Sequence, residues 1–161
     1  MDIFHEQLVK IKSTTTVIIS KIIIWTMAAI VCVLSFIAMI NISPLLLFAG
    51  AGVLYVAYKT TTSFNIEFEY SVTNGVVDID KIINKSSRKR LFTFECKQIE
   101  KIEKFDIKAY PKSQYHLCTD DMDNALLFSV NCDSVNYKIV LSPNEKLMDY
   151  IKVFLPRSVI N

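Results

Sequence analysis

The chain has 161 residues, 52% of them apolar and 21% charged, with a formal charge of +2 and four cysteines; this excludes a disordered chain, a collagen-like repeat and a disulfide-dense secreted scaffold. Of the first 58 residues 39 are apolar, about two thirds, against under half of the remaining 103; a membrane segment joined to a water-soluble domain is expected, not a wholly soluble protein. Residues 1–59 hold the whole charge surplus, and residues 60–161 balance fourteen basic against fourteen acidic side chains, which argues against a nucleic-acid binder.

Residues 2–12 read as a short amphipathic helix. Ile3, Phe4, Leu8 and Ile11 share one face, with Lys10 and Lys12 near the other. Residues 1–21 form a cytoplasmic segment that either lies on the inner leaflet or extends the first span. Residues 22–40 follow as 19 positions without a charge, about 28 Å of helix and close to the hydrocarbon thickness. Residues 42–58 are a second uncharged run of 17, about 25 Å long. Only Asn41 separates them, and Ser43-Pro44 opens the second as a helix start. Two spans so joined form an antiparallel transmembrane hairpin.

Lys10, Lys12, Lys21 and Lys59 flank one side of this hairpin, and the turn on the other side is uncharged. The positive-inside rule then places both termini in the cytoplasm of a multi-pass cell-membrane protein. Trp25 and Tyr58 fall near the same interface. Small residues (Ala28 and Ala29 in the first span, Gly50 and Gly52 in the second) let the helix backbones approach, chiefly to pack the hairpin. Neither span holds an Asp, Glu, Lys, Arg or His, which argues against an ion or proton pathway. The long apolar core and the immediate second span also argue against a cleaved signal peptide.

From residue 63 the period changes to two. Phe64, Ile66, Phe68, Tyr70 and Val72 alternate with polar residues, and Asn74-Gly75 then signals a tight hairpin. A two-residue turn would pair Tyr70 with Ile79 and Glu69 with Asp80, with the apolar face broken only at Lys81. Strands are expected at 64–73, 76–83, 90–96, 99–106, 114–119, 125–131 and 136–142. The fourth is the weakest, because Ile99, Ile102 and Phe105 repeat every three residues. Pro111, Asp120-Asp121 and Asp133-Ser134 mark breaks. Ser142-Pro143-Asn144-Glu145 reads as a capping box opening a last helix. Its stripe of Leu147, Met148, Ile151, Phe154 and Leu155 must cover a sheet or barrel mouth, and Pro156 ends it.

Seven strands closed by one C-terminal helix resemble the pleckstrin-homology fold. The expected class is α+β: a transmembrane helical hairpin (22–58), then a seven-stranded pleckstrin-homology-like barrel or sandwich with a C-terminal cap (63–161). The stretches Tyr70-Ser71-Val72-Thr73-Asn74-Gly75-Val76-Val77-Asp78-Ile79 and Cys96-Lys97-Gln98-Ile99-Glu100-Lys101-Ile102 resemble membrane-tethered bacterial versions of that domain. The whole layout is similar to a family of small two-span membrane proteins from Gram-positive, clostridial-type bacteria. The resemblance implies a binding or assembly module without catalysis.

Lys85-Ser86-Ser87-Arg88-Lys89-Arg90 is the one dense basic cluster. Lys85, Arg88, Lys89 and Arg90 are the candidate contacts for anionic lipid headgroups; the competing reading is a solvated turn. The hairpin register would bring this loop back level with residue 64, near the tether. The spacing resembles the phosphoinositide-binding pattern of eukaryotic pleckstrin-homology domains, but there the basic loop joins the first two strands, and here that turn is Asn74-Gly75. Glu67, Glu69, Asp78 and Asp80 are expected to form a hydrated outer face, and no metal site is expected. Asp120-Asp121-Met122-Asp123-Asn124 lacks the glycine and the closing glutamate of a calcium loop. Cys32, Cys96, Cys118 and Cys132 include no C-x-x-C pair and read as small buried thiols, and His116 with Cys118 is a weak nucleophile pattern. The sequence contains no P-loop, no G-x-S-x-G and no H-E-x-x-H. The reading is therefore a non-catalytic scaffold at the inner leaflet, with no cofactor, contacting membrane lipids, a protein partner and, through the small-residue helix faces, a second copy. Its rivals are an anionic-lipid sensor and an accessory subunit of a larger membrane complex.

Overall fold

A computed structural model describes residues 4–132, 135–157 and 159. Ile3 and the Asp133-Ser134 break lie outside the described residues. The chain divides into two compact units, Lys12–Ile66 and the remainder, Met1–Ile11 with Glu67–Asn161.

The first unit is a pair of packed helices, α1 (Thr15–Asn41) and α2 (Leu46–Thr62). Both differ in extent from the uncharged runs. Helix α1 starts seven residues before position 22, because Thr15, Thr16, Ser20 and Lys21 continue the helical backbone without needing an apolar environment. Helix α2 runs four residues past Tyr58, where Thr60, Thr61 and Thr62 donate their hydroxyls to the carbonyls of Val56, Ala57 and Tyr58. The expected start at Ser43-Pro44 is corrected: the N-cap is Leu45, without a side-chain cap, regular helix begins at Leu46, and the Ser43 hydroxyl only accepts from Leu45 N–H in the turn before it. At its 27 residues, α1 is about 40 Å long. It is the one described helix long and apolar enough to cross a membrane, with a mean hydropathy of 2.6 over its most apolar stretch, only 6% of which is buried.

The second unit holds two four-stranded sheets. One has the order β1-β2-β3-β4, with β1 (Phe4–Lys10), β2 (Ile66–Thr73), β3 (Val76–Ile83) and β4 (Ser87–Glu95). The other has the order β5-β7-β8-β6, with β5 (Ile99–Lys104), β6 (His116–Leu117), β7 (Leu126–Cys132) and β8 (Val135–Leu141). Helix α3 (Glu145–Phe154) follows. Each of the seven expected strands has a counterpart and β1 is an eighth, but β4 begins at Ser87, which puts Arg88 and Lys89 in a strand and not in the expected turn, and β6 is reduced to His116–Leu117.

That eighth strand corrects the reading of residues 2–12 as a helix. Phe4–Lys10 pairs antiparallel with β2, from Phe4 opposite Thr73 to Lys10 opposite Glu67. Its burial alternates with period two, His5, Gln7 and Val9 lying inward. A leader this short is marginal as an isolated helix, and pairing with β2 satisfies its backbone groups. Gln7 fixes it further: its amide nitrogen donates to the Ser142 carbonyl at 2.9 Å, and its oxygen accepts from Asn144 N–H at 2.7 Å.

Core residues come from both sheets. Tyr70, Val72, Val77 and Ile79 are buried, as are Leu127, Phe128, Val130 and Ile139. The Tyr70 hydroxyl donates to the Cys118 carbonyl at 2.6 Å. Asn74 and Gly75 have φ of 50° and 85°, as a tight hairpin turn requires. Gly75 is doubly constrained, since a Cβ there would lie 3.0 Å from the Phe154 ring. The period of three is explained for Ile99 and Ile102 but not for Phe105, which lies past the end of β5 and packs with Tyr115, Ala125, Leu127 and Val140. The β5–β7 ladder shifts between Ile99 and Lys101, so one extra residue returns Ile102 to the face of Ile99.

The last helix differs from expectation at its start. Asn144, not Ser142, is the N-cap, its side chain accepting from Leu147 N–H at 2.8 Å. The Ser142 hydroxyl is already engaged with Thr119 and with the Asp121 carbonyl. Leu147 and Ile151 are buried, α3 packs against β1, and the helix ends just before Pro156.

Candidate functional site

Charge concentrates on the β3–β4 hairpin. Its ladder runs from Val76 opposite Glu95 to Ile79 opposite Phe92, then shifts, so that Asp80 meets Arg90, Lys81 meets Lys89 and Ile82 meets Arg88. Leu91 is the extra residue. A bulge inverts the alternation on the strand that carries it. An unbroken strand would set Arg90 in the inward row of Phe94 and Phe92. The bulge instead places Arg88 and Arg90 on the outward row with Asp78 and Asp80, and turns Lys89 to the face of Lys81.

On the outward row the arginines are held by carboxylates. Arg90 Nε donates to Asp80 Oδ1 at 3.0 Å, and Arg90 Nη1 lies 3.3 Å from Asp78 Oδ2. Arg88 Nη2 donates to Glu69 Oε2 at 2.6 Å, and its Nη1 lies 3.8 Å from Asp80 Oδ2. The Thr93 hydroxyl donates to Asp78 Oδ1 at 2.6 Å. The hydrated acidic face expected from the sequence is thus corrected, because the Glu69 and Asp80 side chains are only 6% and 5% exposed while the Arg88 side chain is 56% exposed. The long arginine stems cover the carboxylates and keep part of the guanidinium in water, and Leu8 of β1 lies directly opposite Glu69. Burial pushes the Glu69 carboxyl above its ordinary range; the nearby Glu6 and Asp80 add to the rise and Arg88 opposes it.

Lys85 and Lys89 stand apart from this network. Lys85 occupies the β3–β4 turn with φ of 55°, beside Asn84 with φ of 51°, and the turn closes through Ser86 N–H to the Ile83 carbonyl at 3.2 Å. Lys89 faces Lys81 across the ladder. The four basic residues named from the sequence therefore divide into Arg88 and Arg90 on one row and Lys85 and Lys89 away from it. Lys81, whose mark in the sequence is the break it makes in the apolar face of 76–83, shares that face with Lys89.

Of the four cysteines expected to be buried, Cys96 and Cys118 are, whereas Cys32 and Cys132 are only partly buried. Burial pushes the Cys96 thiol up to about 11 and the Cys118 thiol up to about 12, so both stay protonated at neutral pH. His116 is exposed on β6, its ring 5.0 Å from that of Phe92, while Cys118 is buried. Among the described residues no group of three His, Cys, Asp or Glu side chains is placed to hold a metal ion.

The small residues of the helical unit also divide. Ala28 and Gly50 are buried between the helices, with Ala57 and Thr61. A Cβ on Gly50 would lie 3.1 Å from Ser35 Cβ, so this glycine sets the closest approach. Ala29 is exposed, and nothing lies within 4 Å of a Cβ built on Gly52. The useful signal is the seven-residue spacing of Ala28 to Ser35 and Gly50 to Ala57, not the pairs Ala28/Ala29 and Gly50/Gly52. An apolar groove of about 510 Å³ runs beside the contact, lined in part by Met27, Val53, Val56 and Gly52.

Neither the curated proteins nor the solved structures provide a match. The family described as a bacterial PH-like domain (DUF6106) matches residues 1–161, the whole length, and the chain belongs to that family.

Proposed function

We propose that this protein is a membrane-anchored, non-catalytic binding module, in which α1 and α2 cross the bilayer as a hairpin and the PH-like unit gathers a protein partner at the inner leaflet. The observation that carries this reading is the inverted polarity of the helical unit. Its buried positions are the small residues Ala28, Gly50, Ala57 and Thr61, while Ile22, Phe36, Ile40 and Phe48 point outward at 54–73% exposure. Such a surface suits a hydrocarbon solvent and is costly in water. Helix α2 is shorter, 17 residues or about 26 Å, and what supports a second crossing is the uncharged run 42–58 to which it belongs. Lys12, Lys21 and Lys59 flank one end and the 42–45 connection is uncharged, which favours both termini in the cytoplasm.

Membership of a PH-like family supports binding over chemistry. Tethering would confine the domain near its partner, so weak contacts suffice. The exposed Gly52 and the groove beside it favour a second reading, an accessory subunit whose hairpin packs against another membrane helix. Washing membranes from expressing cells with alkaline carbonate tests the anchoring. The full chain is expected to stay in the pellet and leave it only with detergent. Release into the aqueous fraction would overturn the proposal.

A further inference from the structure

Of the four edge strands among the described residues, three are closed to further pairing. Strand β4 carries the bulge at Leu91 and three consecutive cations, Arg88, Lys89 and Arg90. Strand β5 carries a bulge after Ile99 and the charges of Glu100, Lys101, Glu103 and Lys104. Strand β6 is only two residues long. Bulges, charge and shortness are the devices that keep an open edge from recruiting another strand. Strand β1 is different. It is seven residues long, contains no proline or glycine, and pairs with β2 without a register shift. On its outward row Phe4 and Leu8 are exposed. The two charges of that row, Glu6 and Lys10, are of opposite sign, and neither makes an ion pair among the described residues.

The backbone of β1 is poised for pairing as well. An antiparallel ladder sends the N–H and C=O groups of alternate residues to opposite sides. The two-residue turn at Asn74-Gly75 makes Thr73 and Val76 a hydrogen-bonded pair, so Thr73, Ser71 and Glu69 bond toward β3. Val72, Tyr70 and Phe68 are left to bond β1, through His5, Gln7 and Val9 opposite them. Phe4, Glu6, Leu8 and Lys10 therefore direct their backbone groups to the open edge, where no described residue bonds them. We propose that the occupant of this edge is a second copy of the chain, its β1 antiparallel to the first about a twofold axis at Leu8. Charge selects that register. An axis at Glu6 would set two glutamates against each other, and an axis at Gln7 would set Glu6 against leucine. An axis at Leu8 sets Glu6 against Lys10 of the partner subunit, twice by symmetry, with the two Leu8 side chains in contact between these pairs. The two four-stranded sheets would then run on as one. The pairing uses β1 alone and does not depend on the membrane reading above.

Disulfide trapping of the full chain provides the test. With Cys32 and Cys132 replaced by serine, Leu8→Cys is expressed and a detergent-free lysate, which keeps membrane and soluble fractions together, is oxidised with copper phenanthroline. Opposed Leu8 positions would have Cα atoms about 5.5 Å apart, within disulfide reach, so most of the chain is expected at twice the monomer mass. Phe4→Cys would sit about 27 Å from its counterpart and should stay monomeric. Two further variants test the register. Added to Leu8→Cys, either Glu6→Lys or Lys10→Glu alone should cut the dimer band severalfold, because each sets like charges opposite one another. Coexpression of the two variant chains should restore the band, a rescue that misfolding of either chain could not give. The proposal would be overturned by the absence of a Leu8→Cys dimer, by equal trapping of Phe4→Cys, or by a crosslink to a different protein. A band unchanged in the single charge variants, or not recovered on coexpression, would overturn it too.

Discussion

The two units of this chain solve opposite packing problems. In the PH-like unit the large apolar side chains turn inward, and Tyr70, Phe128 and Ile79 are fully enclosed. In the helical unit the inward positions are taken by Ala28, Gly50 and Ala57, and the large side chains face out. The same residue types therefore do different work in each. Isoleucine and phenylalanine drive folding in one by leaving water, whereas in the other they meet the solvent and close backbone approach holds the helices together.

Paired substitutions would break or sharpen this contrast. The largest effect is expected from Phe128→Ala, which should destabilise the PH-like unit by about 3–5 kcal/mol through the cavity it leaves. Phe36→Ala, at a residue of the same type but 54% exposed on α1, should leave denaturant unfolding of that unit unchanged. Equal losses would mean that the helices are an ordinary soluble core. Next, Gly50→Leu meets Ser35 at close range and should cost about 1–3 kcal/mol of hairpin stability in detergent by overpacking. Gly52→Leu projects into open space and should leave the melting curve in place; a shift there of similar size would point to an occupied groove.

The smallest effect belongs to the charged row. Arg88→Gln strips the partner from the buried Glu69 carboxylate and should cost about 1–2 kcal/mol at neutral pH, allowing for the exposure of the guanidinium. The sign with pH follows from linkage. The Glu69 carboxyl already lies above its ordinary value of 4.5 when folded, so stability falls as pH rises from that value through the raised one. Losing Arg88 raises it further. The gap between variant and parent should be widest above the raised value and close as the pH falls toward 4. A gap independent of pH would remove the ion pair from the account.

Local chemistry explains which parts could be read in advance. The turn at Asn74-Gly75, the full extent of Val76–Ile83 and the helix stop at Pro156 each depend on residues a few positions apart, whose conformational limits are their own. The strand Phe4–Lys10 was not legible. Its inward residues His5 and Gln7 are polar because they meet α3 and its entry, His5 stacking on Tyr150 and Gln7 bonding Ser142 and Asn144, which blurs the apolar alternation. The charged site was legible only as a cluster. One extra residue at Leu91 decides which cations face the acids, and no periodicity argument locates a bulge beforehand.

The central claim is that the helical hairpin passes through a bilayer and returns. With Cys32 replaced by serine, an impermeant maleimide applied to intact cells should label Ile42→Cys and should reach Lys146→Cys only after lysis. Protection of Ile42→Cys together with labelling of Lys146→Cys would invert the orientation, and protection of both until lysis, with the chain in the soluble fraction, would contradict the account outright.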